Sequence, residues 1–152
     1  MTPAKPACVF CGVVTGEVAS NIVHRDEQTI AFLDRAPLFL GHTLVMPIAH
    51  VETLDDLAPA QVGTLFDAVR RMSIAVQAAC AADGSFVAVN TRMSQSVPHV
   101  HVHVVPRTEG DGLFSPRPIW RRRTYASPAE AAEYAAKIRA SYAKGPTASR
   151  SG

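Results

Sequence analysis

The sequence predicts an α+β domain: an antiparallel sheet of about five strands, covered by one long helix and a C-terminal helix. Three observations carry that expectation. Short strand-like segments fall into two groups, within residues 22–47 and 85–105. One long stretch with apolar residues at helical spacing separates them. A second helical stretch, opened by Ser127-Pro128-Ala129-Glu130, closes the chain. Strands, long helix, strands and terminal helix, in that order, indicate a sheet with its helices segregated rather than alternating βαβ units.

Residues 1–7 hold two prolines and little that could pack, which predicts a loose arm. A short helix over 9–16 would end at Gly16. Ile22-Val23-His24-Arg25 and Thr29-Ile30-Ala31-Phe32-Leu33 read as strands around the polar turn Asp26-Glu27-Gln28. After a loop through Pro37, residues 41–47 form a third strand, closed by Pro47, which cannot donate to a ladder. The long helix should run from Pro59 to Ala82. Val62, Leu65, Phe66, Val69, Met72, Val76 and Ala79 make its core stripe, with Arg70, Arg71 and Gln77 off it. Pro59 suits a first-turn position and Asp83-Gly84 the end. Two strands follow, Ser85–Asn90 and His99–Val105. Past Arg107, Gly110, Gly112, Pro116 and Pro118 predict irregular chain. Ser127 then reads as an N-cap, Pro128 as the first helical residue and Glu130 as first-turn acid, for a helix to about Tyr142. Residues 144–152 are expected to fray. No internal repeat is evident, and 152 residues suit a single domain.

With 47% hydrophobic and 18% charged residues, the composition is that of a globular protein and not of a disordered one. A net charge of +2 is too small to imply nucleic-acid or membrane binding by bulk electrostatics. The dense basic run, Arg121-Arg122-Arg123, fits a solvated or subunit-contacting patch better than a groove that tracks phosphates. No apolar run reaches the length of a membrane span and no secretory segment is evident, so the expected location is the cytoplasm. There, Cys8-Val9-Phe10-Cys11 is more readily metal-binding or redox-active than a disulfide, although a lone pair needs two further ligands before zinc is credible. Cys80, inside the helical pattern, reads as a small core residue.

The stretch with the most chemistry is Pro98-His99-Val100-His101-Val102-His103-Val104-Val105-Pro106-Arg107. Its period of two places three imidazoles on one face of a strand, roughly 6–7 Å apart, and the valines on the core face. Histidines can also decorate a solvated edge strand. Three successive outward positions given to histidine favour an active site.

Gln95-Ser96-Val97-Pro98-His99-Val100-His101-Val102-His103-Val104-Val105 resembles the motif of the histidine triad (HIT) family, in which three histidines alternate with apolar residues. Ala31-Phe32-Leu33-Asp34, residues 41–50 and Asn90 follow the same family's order, so the resemblance spans roughly residues 8–107. It implies a HIT-like fold, a sheet extended across a homodimer, and binding of a purine nucleotide with hydrolysis or transfer at its α-phosphate. His101 would be the nucleophile, since neutral imidazole can attack phosphorus near pH 7. His103 would contact phosphate oxygens, and His42 would add a donor or protonate the leaving group. Ser96 would offer a hydroxyl and a backbone N–H to the phosphate, with Asn90 and Gln95 as supporting amides. Asp34 occupies the position of the family's ribose-binding carboxylate, or simply caps the turn that follows it. Ile22, Phe32 and Leu33 could line a base pocket or serve as plain core.

Some bacterial members of the family hold a structural zinc through a Cys-x-x-Cys, a later histidine and the first histidine of the triad. The corresponding residues here are Cys8, Cys11, His50 and His99, a set suited to tetrahedral zinc with no open position. Two segments depart from the family pattern. Thr91-Arg92-Met93-Ser94 lacks the glycines usual there, and Trp120–Tyr125 matches nothing that could be transferred. Transferase branches of the superfamily carry glutamine where this chain has His103, which favours a hydrolase. The alternatives are a nucleotidyl transferase, or a zinc-stabilised nucleotide-binding or interaction protein with little catalysis.

Overall fold

The computed structural model describes residues 7–116 and 121–145. Helix α1 (Val9–Thr15) leads into strands β1 (Ile22–Arg25), β2 (Thr29–Leu33) and β3 (Thr43–Pro47). A 3-10 turn (Leu54–Asp56) precedes helix α2 (Pro59–Ala79), followed by β4 (Gly84–Val89), β5 (Val102–Arg107) and helix α3 (Pro128–Lys144). The strands form one five-stranded sheet in the order β1-β2-β3-β5-β4, every neighbouring pair antiparallel. This is the α+β architecture that the order of elements predicts. The expected loose ends fall almost wholly outside the described residues, as do Pro118 and Trp120.

The sheet separates two apolar layers. On one side Ala31, Leu33, Val45, Val100, Val102 and Val104 meet Leu65, Val69, Met72 and Val76 of α2, and Ala135 and Ile138 of α3. On the other, Ile30, Phe32, Leu44 and Met46 meet Val13 and Phe10 of α1. Register explains the split. Phe32 pairs with Leu44 and Leu44 with His103, so this row faces α1 while the intervening residues face the long helices. The valines between the histidines are fully buried, as the alternation predicts.

Three local expectations are corrected. The core stripe of α2 is centred on Leu65, Ala68, Val69, Met72, Ala75 and Val76, whereas Val62 and Phe66 are each 36% exposed. The alanines Ala68 and Ala75 belong to the buried face, so the largest apolar residues misplace its centre. The helix also ends earlier, at Ala79 with Cys80 as cap; Ala81 takes a positive φ of 49°, and Gly84 opens β4 instead of ending the helix. Finally, β5 begins at Val102 rather than His99. Val100 N donates to Val51 O and His99 N to Val97 O, outside any ladder. The terminal helix is capped as expected: Ser127 Oγ accepts from Glu130 N at 3.1 Å.

Gly41, just before β3, has a φ of +96°, and a Cβ there would sit 2.5 Å from Cys80 Sγ. Its amide donates to the Tyr125 hydroxyl at 3.0 Å, and the next residue is His42. Gly41→Ala should therefore destabilise the fold by about 2 kcal/mol or more, read from a denaturant midpoint. Adding Cys80→Ala should restore part of the loss, since it removes the steric conflict and leaves the dihedral strain.

Candidate active site and metal centre

A cleft of about 290 Å³ opens on the α1 side of the sheet, near the small end of the range for small-molecule sites. Phe10 and Val13 of α1, with Phe32, Leu33 and Leu44, form its apolar part; Asp34, Ser96, His101, His103 and Arg122 form its polar part. The arrangement is amphipathic, with an apolar slot beside a cluster of imidazoles and charged groups.

Backbone groups that can only accept or only donate fix the protons of His101 and His42, and His42 in turn fixes that of His103. His101 Nδ1 lies 2.7 Å from His99 O. A carbonyl accepts only, so Nδ1 carries the proton and Nε2 keeps its lone pair. Burial lowers the His101 pKa, against the opposing influence of that bond and of the Asp34 carboxylate. The Leu38 amide donates to His42 Nδ1 at 3.1 Å, which makes His42 Nε2 the protonated nitrogen. His42 Nε2 then donates to His103 Nδ1 at 2.9 Å, leaving a proton on His103 Nε2. His101 therefore offers a lone pair and His103 a hydrogen-bond donor, with ring centroids 5.1 Å apart. This is somewhat closer than the ideal strand spacing anticipates.

His42 does not line the cleft: it is fully buried behind His103 with both ring nitrogens engaged, so it would act from behind, through His103 and through Asp34, whose Oδ2 lies 3.7 Å from its Nε2. Asp34 makes the turn-capping contact and also borders the cleft. Its Oδ1 accepts from Ala36 N at 2.9 Å, capping the turn, while its Oδ2 lies 3.3 Å from Arg122 Nη1 at the cleft. Ser96 lines the cleft beside the histidines. Gln95 does not; its Nε2 donates to Glu52 O and Val97 O and its Oε1 accepts from Arg92 N, which folds the 92–97 loop. Asn90 is exposed beyond the end of β4, and Ile22 packs with the apolar layer under α1; neither lines the cleft. Phe32 and Leu33 do line it. Arg122, like Arg35 and Phe10, is a cleft residue that the sequence did not single out. It lay inside a basic run whose only sequence-level signal was its charge.

At the far end of the histidine segment, Cys8, Cys11, His50 and His99 place one ligand atom each within 4.8 Å of the others. Both sulfurs lie 3.7 Å from His99 Nδ1, and Cys11 Sγ lies 3.3 Å from His50 Nδ1. Tetrahedral zinc with ordinary Zn–S and Zn–N lengths would separate such ligands by about 3.6 Å. His99 Nε2 lies 2.8 Å from Pro47 O and so holds the proton, which turns the Nδ1 lone pair towards the sulfurs. Orientation of a ligand histidine by a carbonyl is the usual outer-shell arrangement at metal sites. The donor set is compatible with zinc and, with four protein ligands, has no open position.

Burial holds the pKa of His42 down to about 3 and that of His103 to about 4, with neighbouring histidines and Arg122 acting in the same sense. Both should thus stay neutral well below pH 6, and their ring resonances should not titrate between pH 8 and pH 5. Because these values lie below that of an unfolded histidine, the unfolded chain binds protons first on acidification. Stability should fall as pH drops from about 6.5 towards 4, by up to about 1.4 kcal/mol per pH unit for each histidine. His42→Asn should flatten that slope.

Comparison with known proteins accords with this geometry. The HIT domain matches residues 15–110. An uncharacterized HIT-like protein of Methanocaldococcus jannaschii is 38% identical over 107 residues, covering 69% of this chain and 82% of its own. An adenylylsulfatase of Arabidopsis thaliana is 31% identical over 134 residues, covering 87% and 68%. Among solved structures, a zinc-bound histidine triad protein from Mycobacterium smegmatis superposes with a TM-score of 0.77 at 32% identity, covering 91% of this chain and 94% of that one. With its His-Val-His-Val-His segment, its α+β fold and these relatives, the chain belongs to the histidine triad (HIT) family.

Proposed function

We propose that this chain is a nucleotide hydrolase, cleaving at the α-phosphate of purine nucleoside phosphoramidates or dinucleoside polyphosphates through a nucleotidyl-histidine intermediate. The observation that carries this reading is the bond from His101 Nδ1 to His99 O, which leaves Nε2 as the free, unprotonated nitrogen of a ring that lines the cleft. In the first step His101 Nε2 forms a bond to phosphorus as the bond to the leaving group breaks, and the departing group takes up a proton from solvent water. Water then attacks phosphorus as the phosphorus–Nε2 bond breaks and gives up its proton to solvent, which returns His101 with its lone pair and releases the nucleoside monophosphate. His103 Nε2–H and Ser96 suit the phosphate oxygens on which charge builds, and His42 holds His103 in the tautomer that can donate. The apolar slot with Phe10, Phe32 and Leu44 suits a purine face, and Asp34 the ribose hydroxyls. The named activity of the Arabidopsis relative, an adenylylsulfatase, is in keeping with a substrate of this kind.

Zinc at Cys8, Cys11, His50 and His99 would be structural, one ion per chain, tying α1 to the histidine segment. A homodimer is the proposed assembly. Phe66 and Val62 lie one turn apart on the exposed side of α2, and Val87 is exposed on β4, an edge strand of the sheet among the described residues. No helix among the described residues is long and apolar enough to cross a membrane. The cytoplasm remains the proposed location.

Replacing His101 with glycine should cut turnover of an adenosine phosphoramidate by at least about a thousandfold while AMP binding stays measurable by calorimetry. Retained turnover would remove His101 as nucleophile. Metal analysis of freshly purified protein should find about one zinc per chain. Cys11→Ala should lower zinc content and take the melting temperature down by about 5 °C or more, as expected for loss of a structural metal. Unchelated protein without zinc would reject the site.

A further inference from the structure

Among the described residues, the charged part of the cleft lining consists of one carboxylate, Asp34, and two guanidiniums, Arg35 and Arg122. Arg122 Nη1 donates to Asp34 Oδ2 at 3.3 Å and to Ala36 O at 2.9 Å. These bonds are not needed to hold residues 121–125 on the body of the protein. Arg123 N donates to Pro37 O at 2.6 Å, the Arg123 guanidinium sits over the Phe39 ring at 5.2 Å, and the Tyr125 hydroxyl accepts from Gly41 N at 3.0 Å. Its neighbours anchor the segment, and Arg122 alone of the three arginines turns its charge into the cleft.

The pair that Arg122 makes there is easily broken. The arginine side chain is 51% exposed, and half-exposed ion pairs contribute little to stability. Asp34 Oδ1 is committed to Ala36 N, so ribose hydroxyls arriving at this carboxylate would compete with Arg122 for Oδ2. A guanidinium displaced in this way stays beside His103, whose pKa its charge already helps to hold down. Its planar fork matches phosphate oxygens, and Arg35 at the same cleft adds a second positive charge that would draw in an anionic group.

We propose that Arg122 is a specificity-determining residue that, released from Asp34 by the ribose, binds phosphate oxygens beyond the α-phosphate and so favours nucleoside polyphosphates over substrates with an uncharged or cationic leaving group. This rests on the nucleotide reading above and narrows it from two substrate classes to one.

Calorimetric affinities for AMP and for α,β-methylene-ATP, whose bridging carbon blocks cleavage at the α-phosphate, test it directly. The ratio of the two affinities should favour the triphosphate analogue in the wild-type chain. It should drop by about tenfold in Arg122→Ala, the scale of one hydrogen bond between charged groups. Arg122→Lys, which keeps the charge, should retain much of the preference, and raising the salt concentration should erode it in the wild type. In turnover, kcat/KM for diadenosine tetraphosphate relative to adenosine phosphoramidate should fall in Arg122→Ala by a similar factor. A ratio unchanged in Arg122→Ala, or equal weakening of both ligands, would overturn the assignment and leave nucleotide binding intact. A wild-type chain that binds neither AMP nor the analogue would instead remove the nucleotide reading itself, and this inference with it.

Discussion

The 2.7 Å bond between His101 Nδ1 and the carbonyl of His99 is the contact on which the rest of the site depends. It joins two residues with opposite surroundings. His99 is turned away from the cleft, its Nε2 bound to Pro47 O and its Nδ1 facing two sulfurs; His101 is turned into the cleft. The backbone that orients the cleft histidine is therefore the backbone of the residue that faces the metal-compatible cluster. The segment from 99 to 101 lies outside the β5 ladder, so sheet hydrogen bonding does not fix it. Side-chain bonds at His99 and the backbone bonds from His99 N to Val97 O and from Val100 N to Val51 O take that place.

The fold was legible wherever hydrophobic period and chain punctuation agreed. β1, β2, β3, the start of α2 and the N-cap of α3 are such places, because alternation, Pro59 and Ser127-Pro128 each have a direct local cause. It was less legible where tertiary contacts chose among locally equivalent states. The outward turn of Val62 and Phe66 reflects which face of α2 meets the sheet, and apolar character alone cannot rank two overlapping stripes. The start of β5 at Val102 coincides with the end of β4 at its partner Val89, while β3 runs on to Pro47 against β2 alone, and the His-Val alternation does not encode this.

The same division runs through the site. His101 and His103 sit on one face because alternation is a local property, and the four metal-compatible donors could be grouped because the family resemblance implies that set. Gln95 and His42 point elsewhere than the motif suggested, since each answers to buried or loop-forming backbone groups: Leu38 N for His42, Glu52 O and Val97 O for Gln95. The missing loop glycines have a structural counterpart. Arg92 and Ser94 adopt φ values of 63° and 59°, a region that costs most residues about 1 kcal/mol or more, and the three bonds of Gln95 hold the loop there. Arg122 was hidden for a different reason. A run of three arginines carries no information on which side chain turns inward, and that choice is made by Phe39 and Pro37 taking up Arg123.

These contacts make α1 more than a cover for the sheet. Cys8 and Cys11 flank Phe10, whose ring meets Phe32 at 5.3 Å, His99 at 6.3 Å and His101 at 4.9 Å, edge to face in each case. The ring therefore touches the apolar slot, the histidine of the metal-compatible cluster and the histidine proposed to attack. A helix of seven residues is too short to hold its place by its own hydrogen bonds. Its position is supported by Val13 and Phe10 packing on the sheet, by the Arg25 guanidinium donating to Val14 O at 2.7 Å, and by whatever joins Cys8 and Cys11 to His50 and His99. A structural ion at that corner would act on the cleft through two routes at once, the His99 carbonyl behind His101 and the Phe10 ring in front of it. Both routes end on the same imidazole, so a metal with no open coordination position would influence the orientation of His101 without touching the cleft.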